Sequence, residues 1–291
     1  MTSALRTPLR RRPVHFRRRA SNMAIITLSA VVGLAFALPL IWTITNSFRP
    51  GAEIFKYIDP IQWFTFVPES PILSNYVELF SGTFGRAVLN SIGVSAVTVV
   101  LGVLICAACA FALAAIPFKG SGAVFAIVVL SFLVPFDAIA IPLANLFRDW
   151  GLANTFTGLI LPGLGNGLAI FLIRQFFLAV PTELVEAGRL DGLGWWGIFS
   201  RIYLPLSAPA LFGAGLTLFL FQWQSYVWPL LIGTDQDHIL GPVALANLKG
   251  QFSIDYGVLF AGAVILTIIP LIIIVSMQRY FIQSVSTTGI K

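Results

Sequence analysis

Charge is what this sequence has least of. Only 10% of the 291 residues are Asp, Glu, Lys or Arg, while 57% are hydrophobic. A soluble domain carries about 25% charged and about 45–50% apolar residues. That deficit, with a mean hydropathy of +0.89, excludes a water-soluble globular enzyme and a disordered chain. Cysteine and histidine are scarce as well. Two of each (Cys106, Cys109, His15 and His238) build neither a disulfide framework nor a His/Cys metal site. Lysine occurs at 56, 119, 249 and 291, never before Ser or Thr. There is no Walker A loop, so this chain alone is not expected to hydrolyse ATP or GTP. An integral membrane protein remains.

The apolar residues fall into long runs. A hydrocarbon core of ~30 Å takes about 20 helical residues to cross. Runs of that order lie near 23–44, 87–115, 121–145, 155–178, 208–231 and 258–280. The expectation is therefore an all-α polytopic protein with six transmembrane helices. Residues 1–22 form a basic tail and 23–291 the membrane domain. The first run is too long for a signal-peptide core and lacks a convincing A-x-A site, so it reads as an uncleaved anchor.

The net charge of +6 has to be read by position. Six spans put both termini on one side. With the N-terminus inside, thirteen Lys and Arg fall inside and five outside. The positive-inside rule thus places both ends in the cytoplasm. The seven arginines among the first 20 residues suit a solvated tail beside anionic lipid rather than nucleic acid.

The second span is rich in small residues, among them Ser91, Gly93, Ser95, Gly102, Ala107 and Ala110. Small side chains let helix backbones approach closely in lipid, so this span belongs at the centre of a bundle or at a dimer seam. Cys106 and Cys109 share that set and read as packing residues rather than a redox pair. Trp42, Trp150 and Trp228 read as an interfacial aromatic belt.

One cytoplasmic loop stands out, about 179–207. Pro181 and Thr182 open a helix there, with Thr182 as cap and Glu183 in the first turn. It runs to Leu190 and breaks at Gly192 and Gly194. A second short helix, about Trp195 to Tyr203, ends at Leu204-Pro205. A helix–turn–helix with an apolar face suits a groove on a partner.

Within it, Glu186-Ala187-Gly188, three residues, Gly192, nine residues, and Ile202-x-Leu204-Pro205 resemble the EAA loop of bacterial ABC importer permeases. Gly188 stands where that family usually has Ala. Asn46-Ser47-Phe48-Arg49-Pro50, Asn90-Ser91, Ile141-Pro142-Leu143 and Gly151-Leu152-Ala153-Asn154-Thr155 resemble the carbohydrate-type members. So do Arg174-Gln175-Phe176-Phe177, Trp228-Pro229-Leu230 and Gly289-Ile290-Lys291. The resemblance is to the six-span subunits of maltose- and glycerol-phosphate-type importers. It implies a heterodimer with a second permease, two ATPase subunits and an extracellular substrate-binding protein. It implies no cofactor on this chain, with ATP and Mg held by the ATPase. The loop between spans four and five becomes the coupling helix. Glu186 would pair with an ATPase cation, Ala187, Gly188 and Gly192 would permit close approach, and Arg189 and Asp191 would orient the helix. Leu204 and Pro205 complete the motif. The local alternative for Glu186 is an i,i+3 pair with Arg189.

Polar residues inside spans mark candidate pathways, because burying them in lipid is costly. Asp137 lies about 16 residues into span three, or ~24 Å along an ideal helix. Flanked by Pro135 and Pro142, it either lines a substrate path or caps a broken helix. Asn145 joins the pathway set. In span five Gln222 and Tyr226 (i,i+4), with Trp223 and Gln224, offer amides and rings suited to a sugar. The alternative there is helix–helix hydrogen bonding. The glycine-rich 162–167 stretch does not fit G-x-G-x-x-G and reads as unwound backbone.

Two other classes fit poorly. A stand-alone secondary carrier would show internal repeats, and spans 1–3 and 4–6 share no motif. A membrane-embedded enzyme needs metal ligands or a Ser/Lys pair, and the spans hold no His or Lys. Phosphate would favour a cationic pathway, and no Lys or Arg lies at mid-membrane.

Overall fold

The computed structural model describes residues 14–56, 60–249 and 254–286. The Gly289-Ile290-Lys291 end and most of the basic tail lie outside the described residues. The chain runs through α1 (Val14–Ser47), α2 (Ser74–Ser81), α3 (Phe84–Ala115), α4 (Ser121–Leu133), α5 (Phe136–Asp149), α6 (Phe156–Leu164) and α7 (Gly167–Phe177). It continues through α8 (Thr182–Leu190), α9 (Trp195–Ile198), a π-helical turn (Phe199–Tyr203), α10 (Leu204–Leu206) and α11 (Ala208–Trp223). It closes with α12 (Val227–Ile232), α13 (Gly241–Asn247) and α14 (Tyr256–Ser286). Extended pairing among the described residues amounts to one bridge, Lys249 with Ile254.

Three helices are long and apolar enough to cross a membrane unbroken: Asn22–Ser47, Phe84–Ala115 and Tyr256–Gln278. Three further crossings are bent pairs. They are α4 with α5 (96°), α6 with α7 (43°), and Trp195–Leu206 with α11 (81°). Counted as one span each, the bent pairs bring the candidate crossings among the described residues to the six expected, half of them not straight.

Proline chemistry accounts for the first bend. A residue before proline is pushed out of the α region. Val134, before Pro135, is extended (φ −76°, ψ 119°) and ends α4. At the second break Asn166 caps α7, its side chain accepting from the Ala169 amide at 3.0 Å. Pro162 inside α6 has no N–H for the Gly158 carbonyl, four residues back. The Trp228 indole supplies the missing donor at 3.1 Å. Trp228 is therefore buried, 3% exposed, and leaves the belt assigned to it from sequence. Trp150, 61% exposed, fits a belt. Trp42 is half-buried, edge-on to Phe260.

The centre of the bundle is the small-residue helix α3. Cys106, Ala107 and Ala110 are fully buried, in one cluster with Ile173 and Phe177 of α7 and Ala214 and Leu218 of α11. A Cβ at Gly102 would lie 3.0 Å from Leu218 Cδ1. Cys106 Sγ donates to the Leu164 and Asn166 carbonyls, a packing role at the α6–α7 break.

The loops at the end expected outside are stapled down. Arg49, 2% exposed, donates to Asn46 Oδ1 and to the carbonyls of Phe64 and Val67. Asn75 donates to the carbonyls of Ser47 and Arg49. Asn154 holds a left-handed φ of 53°, and its Oδ1 accepts from the amides of Thr234 and Asp235. Burial works to raise the Asp235 carboxyl. Hydrogen bonds from the His238 ring and amide, with the His238 charge and the Asp237 amide, hold it below its ordinary value.

Candidate functional site

The loop at the opposite end folds as two helices with a glycine turn. Pro181 takes the cap position and Thr182 is the first helical residue. Thr182 therefore does not cap, contrary to expectation; Pro181 leaves no side-chain acceptor there. Glu183 does sit in the first turn. α8 closes with a Schellman motif. The Leu193 amide donates to the Gly188 carbonyl at 2.9 Å and the Gly192 amide to the Arg189 carbonyl at 3.0 Å. That geometry requires a left-handed residue, and Gly192 supplies it with φ 80°. Asp191, exposed, is the last residue before the turn.

Gly188 is the only buried residue of α8. It faces the second helix: a Cβ there would fall 2.8 Å from Ile202 Cδ1 and 3.4 Å from Leu193 Cδ1. Both neighbours are tips of flexible side chains, so an Ala at 188 needs only a small shift. Ala187 and Glu186 point away and are exposed. The Arg189 guanidinium lies 4.4 Å from the Trp195 ring centroid, a cation–π contact that ties the two helices. Among the described residues Glu186 has no ion pair, so the local Glu186–Arg189 pair is not formed.

The second helix does not end at Leu204-Pro205. It continues through Leu206 and turns at Ser207. Pro205 cannot donate to Arg201, and its ring crowds that carbonyl. The π-helical turn just before it absorbs the misfit without a break. Leu204 is half-buried and Pro205 exposed.

This helix is rooted in the membrane core. Ile198, Phe199 and Tyr203 join the same cluster as α3, α7 and α11. Phe111 of α3 is the hub. Its ring centroid lies 5.0 Å from Tyr203, 5.1 Å from Phe199, 6.2 Å from Trp195 and 6.5 Å from Phe177. The other side of the loop is bare: Leu190 is 90% exposed and Trp196 75%. One face thus grips the bundle while the opposite face presents large apolar side chains and an unpaired carboxylate.

The predicted pathway residues are brought together only in part. Asp137 sits in the first turn of α5 just past the α4–α5 bend, exposed. It does not project from a straight span. Asn145 is also exposed, and its Oδ1 accepts from Arg148, whose other arm donates to the Leu231 carbonyl. The span-five face is not formed. α11 stops at Trp223 and α12 begins at Val227. Pro229 explains it: in a continuous helix its ring would crowd the Ser225 carbonyl. Gln222 and Trp223 turn into the protein, with Trp223 Nε1 donating to the Leu266 carbonyl at 3.0 Å. Gln224 and Tyr226 are exposed. Sequence reasoning missed Phe111, Arg49 and Asn154. The last two stood in recognised motifs without an assigned role, and Phe111 carried no local signal.

Residues 102–287 match the family model of the binding-protein-dependent transport system inner membrane component. The chain is 34% identical to the arabinooligosaccharides transport system permease protein AraQ of Halalkalibacterium halodurans, over 92% of this chain and 97% of that one. It is 31% identical to the trehalose transport system permease protein SugB of Mycobacterium tuberculosis, over 94% and 98%. Its fold is similar to a chain in the crystal structure of a bacterial ABC transporter that imports the acidic polysaccharide alginate. The TM-score there is 0.77 at 23% identity, covering 94% of this chain and all of the other. These findings set aside the stand-alone carrier and the membrane enzyme. The chain belongs to the binding-protein-dependent transport system inner membrane components, the permease subunits of ABC importers.

Proposed function

We propose that this permease subunit carries a sugar, oligosaccharide or related polyol across the bacterial cytoplasmic membrane, with both termini cytoplasmic. It pairs with a second permease, receives substrate from an extracellular binding protein, and is driven by two ATPase subunits that hold ATP and Mg. No cofactor binds this chain. The substrates for which its relatives are named, arabinooligosaccharides and trehalose, support the carbohydrate class over glycerol phosphate.

One observation carries the coupling role: the two-faced loop. Ile198, Phe199 and Tyr203 lock it to the bundle around Phe111, while Leu190, Trp196 and Glu186 are exposed. A rigid body with one buried and one bare apolar face transmits the motion of whatever grips it. Gly188 and Gly192 shape its close internal contact and its turn. Glu186 offers a charge for an ATPase cation, and Arg189 fixes α8 on Trp195. Asp137 and Asn145 are exposed polar groups of the third crossing and serve as substrate contacts. Gln222, Trp223, Gln224 and Tyr226 flank the span-five break.

Glu186→Lys tests this reading. The variant should insert and pair normally, but lose the ATPase subunit on purification and lose uptake. Full uptake with a retained ATPase would remove Glu186 from the docking surface.

A further inference from the structure

The short helix α2 joins the first crossing to the second, and each of its ends is tied to one of them. At its start the Ile72 amide donates to the Phe48 carbonyl at 2.9 Å. Asn75 Nδ2 donates to the carbonyls of Ser47 and Arg49, where α1 finishes. At its far end Phe80 lies against Phe84, the first residue of α3, with ring centroids 6.5 Å apart. A helix of this length spans ~12 Å. α2 therefore runs along the rim of the bundle, from the end of one crossing to the start of the next. The boundary between hydrocarbon and water passes by both of its ends.

Its residues fall into three stripes, each with the i, i+4 spacing that lines up side chains on a helix. Asn75 and Leu79, 4% and 2% exposed, face the protein. Ser74, Glu78 and Ser81 are exposed and polar. Leu73, Val77 and Phe80 are exposed and apolar, at 66%, 70% and 50%. Successive residues stand about 100° apart around a helix. The apolar and polar stripes are therefore neighbours, and together they make up the face turned away from the bundle. A helix on a water-facing surface buries its apolar stripe and exposes a polar one. A helix facing lipid along its length has no charged stripe. A helix lying in the plane of a membrane interface has both an apolar face among the acyl chains and a polar face toward water.

We propose that α2 lies in the membrane interface, with Leu73, Val77 and Phe80 inserted into the bilayer and Ser74, Glu78 and Ser81 turned to the headgroups and water. The partner of this surface is the bilayer itself. Through Asn75 the helix also fixes the level at which α1 leaves the membrane. The anchor is independent of what the transporter carries.

Fluorescence quenching on the assembled complex in liposomes tests it. Val77→Cys and Glu78→Cys each carry a small environment-sensitive fluorophore. Signal from Cys106 and Cys109, buried and half-buried in α3, is subtracted with the unsubstituted complex. Lipids bearing a nitroxide near the top of the acyl chain quench from the bilayer, and iodide on both sides of the vesicle quenches from water. Position 77 should emit further to the blue, lose most of its fluorescence to the nitroxide lipid and lose little to iodide. Position 78 should show the reverse. Iodide quenching at 77 as strong as at 78 would put the apolar stripe in water and overturn the proposal. A position 77 shielded from both quenchers would overturn it too, since the stripe would then be covered by another subunit or by the binding protein. If the Val77→Cys complex does not assemble, Leu73→Cys against Ser74→Cys reads the same two stripes one turn earlier, with the same outcomes.

Discussion

Replacing Phe111 with Leu should uncouple the transporter without dismantling it. Three of the four rings around Phe111 (Trp195, Phe199 and Tyr203) belong to the loop's second helix. Leu keeps the site apolar but deletes the ring edges. Aromatic pairs contribute about 0.5–1.5 kcal/mol each beyond simple burial. Counting only Tyr203 and Phe199, at 5.0 and 5.1 Å, the loss is about 1–3 kcal/mol. One or two kcal/mol is a factor of about 5–30 in an equilibrium. The seating of the loop on the bundle weakens by that order, while α3 stays anchored through Cys106, Ala107 and Ala110. The assay is uptake and ATP hydrolysis measured together in proteoliposomes holding the whole complex. The Phe111→Leu complex should assemble and hydrolyse ATP, with transport per ATP several-fold lower. An unchanged ratio would refute the idea that force reaches the bundle through this aromatic hub.

Three further outcomes follow from the geometry. Arg49→Met should free the 60–72 loop, since bonds from a charged donor are worth about 1.5–3 kcal/mol each; limited proteolysis should cut there first, and unaltered protection would contradict the staple. Trp228→Phe leaves the Gly158 carbonyl without its donor in a helix already lacking one at Pro162, at a cost of about 1–3 kcal/mol. The Tm of the complex should fall, and an unchanged Tm would show the bond to be dispensable. Asp137→Asn should lower uptake while the complex assembles in normal amount; loss of expression instead would make Asp137 a structural residue.

How much of this was legible in the sequence depends on how local the signal is. The turn at Gly192 and the helix from Thr182 to Leu190 are set by neighbours in the chain, and they appear where the spacing places them. The small-residue face of α3 was also readable, because close packing demands small side chains wherever the partner comes from. Straightness was not. Periodicity assumes an unbroken helix, so a polar face across Gln222 and Tyr226 looked real until Pro229 broke the helix at Gln224–Tyr226. The destinations of Trp223 and Trp228 were equally hidden. Each indole serves a carbonyl on another crossing, Leu266 and Gly158, and nothing near either tryptophan in the chain names that acceptor. Phe111 reads as one apolar residue among many, and only the folded chain gathers four rings around it.

The central claim is that the bare face of the 179–207 loop is where an ATPase subunit grips this permease. Leu190, 90% exposed at the end of α8, is the position to probe. A photo-crosslinking amino acid there, followed by mild-detergent purification from the host membrane and identification of the partner, reads the contact directly. The account predicts a crosslink to an ATPase subunit in a complex that also holds a second permease. A chain recovered alone, with position 190 crosslinked to lipid or to nothing while other membrane complexes stay intact, would contradict it.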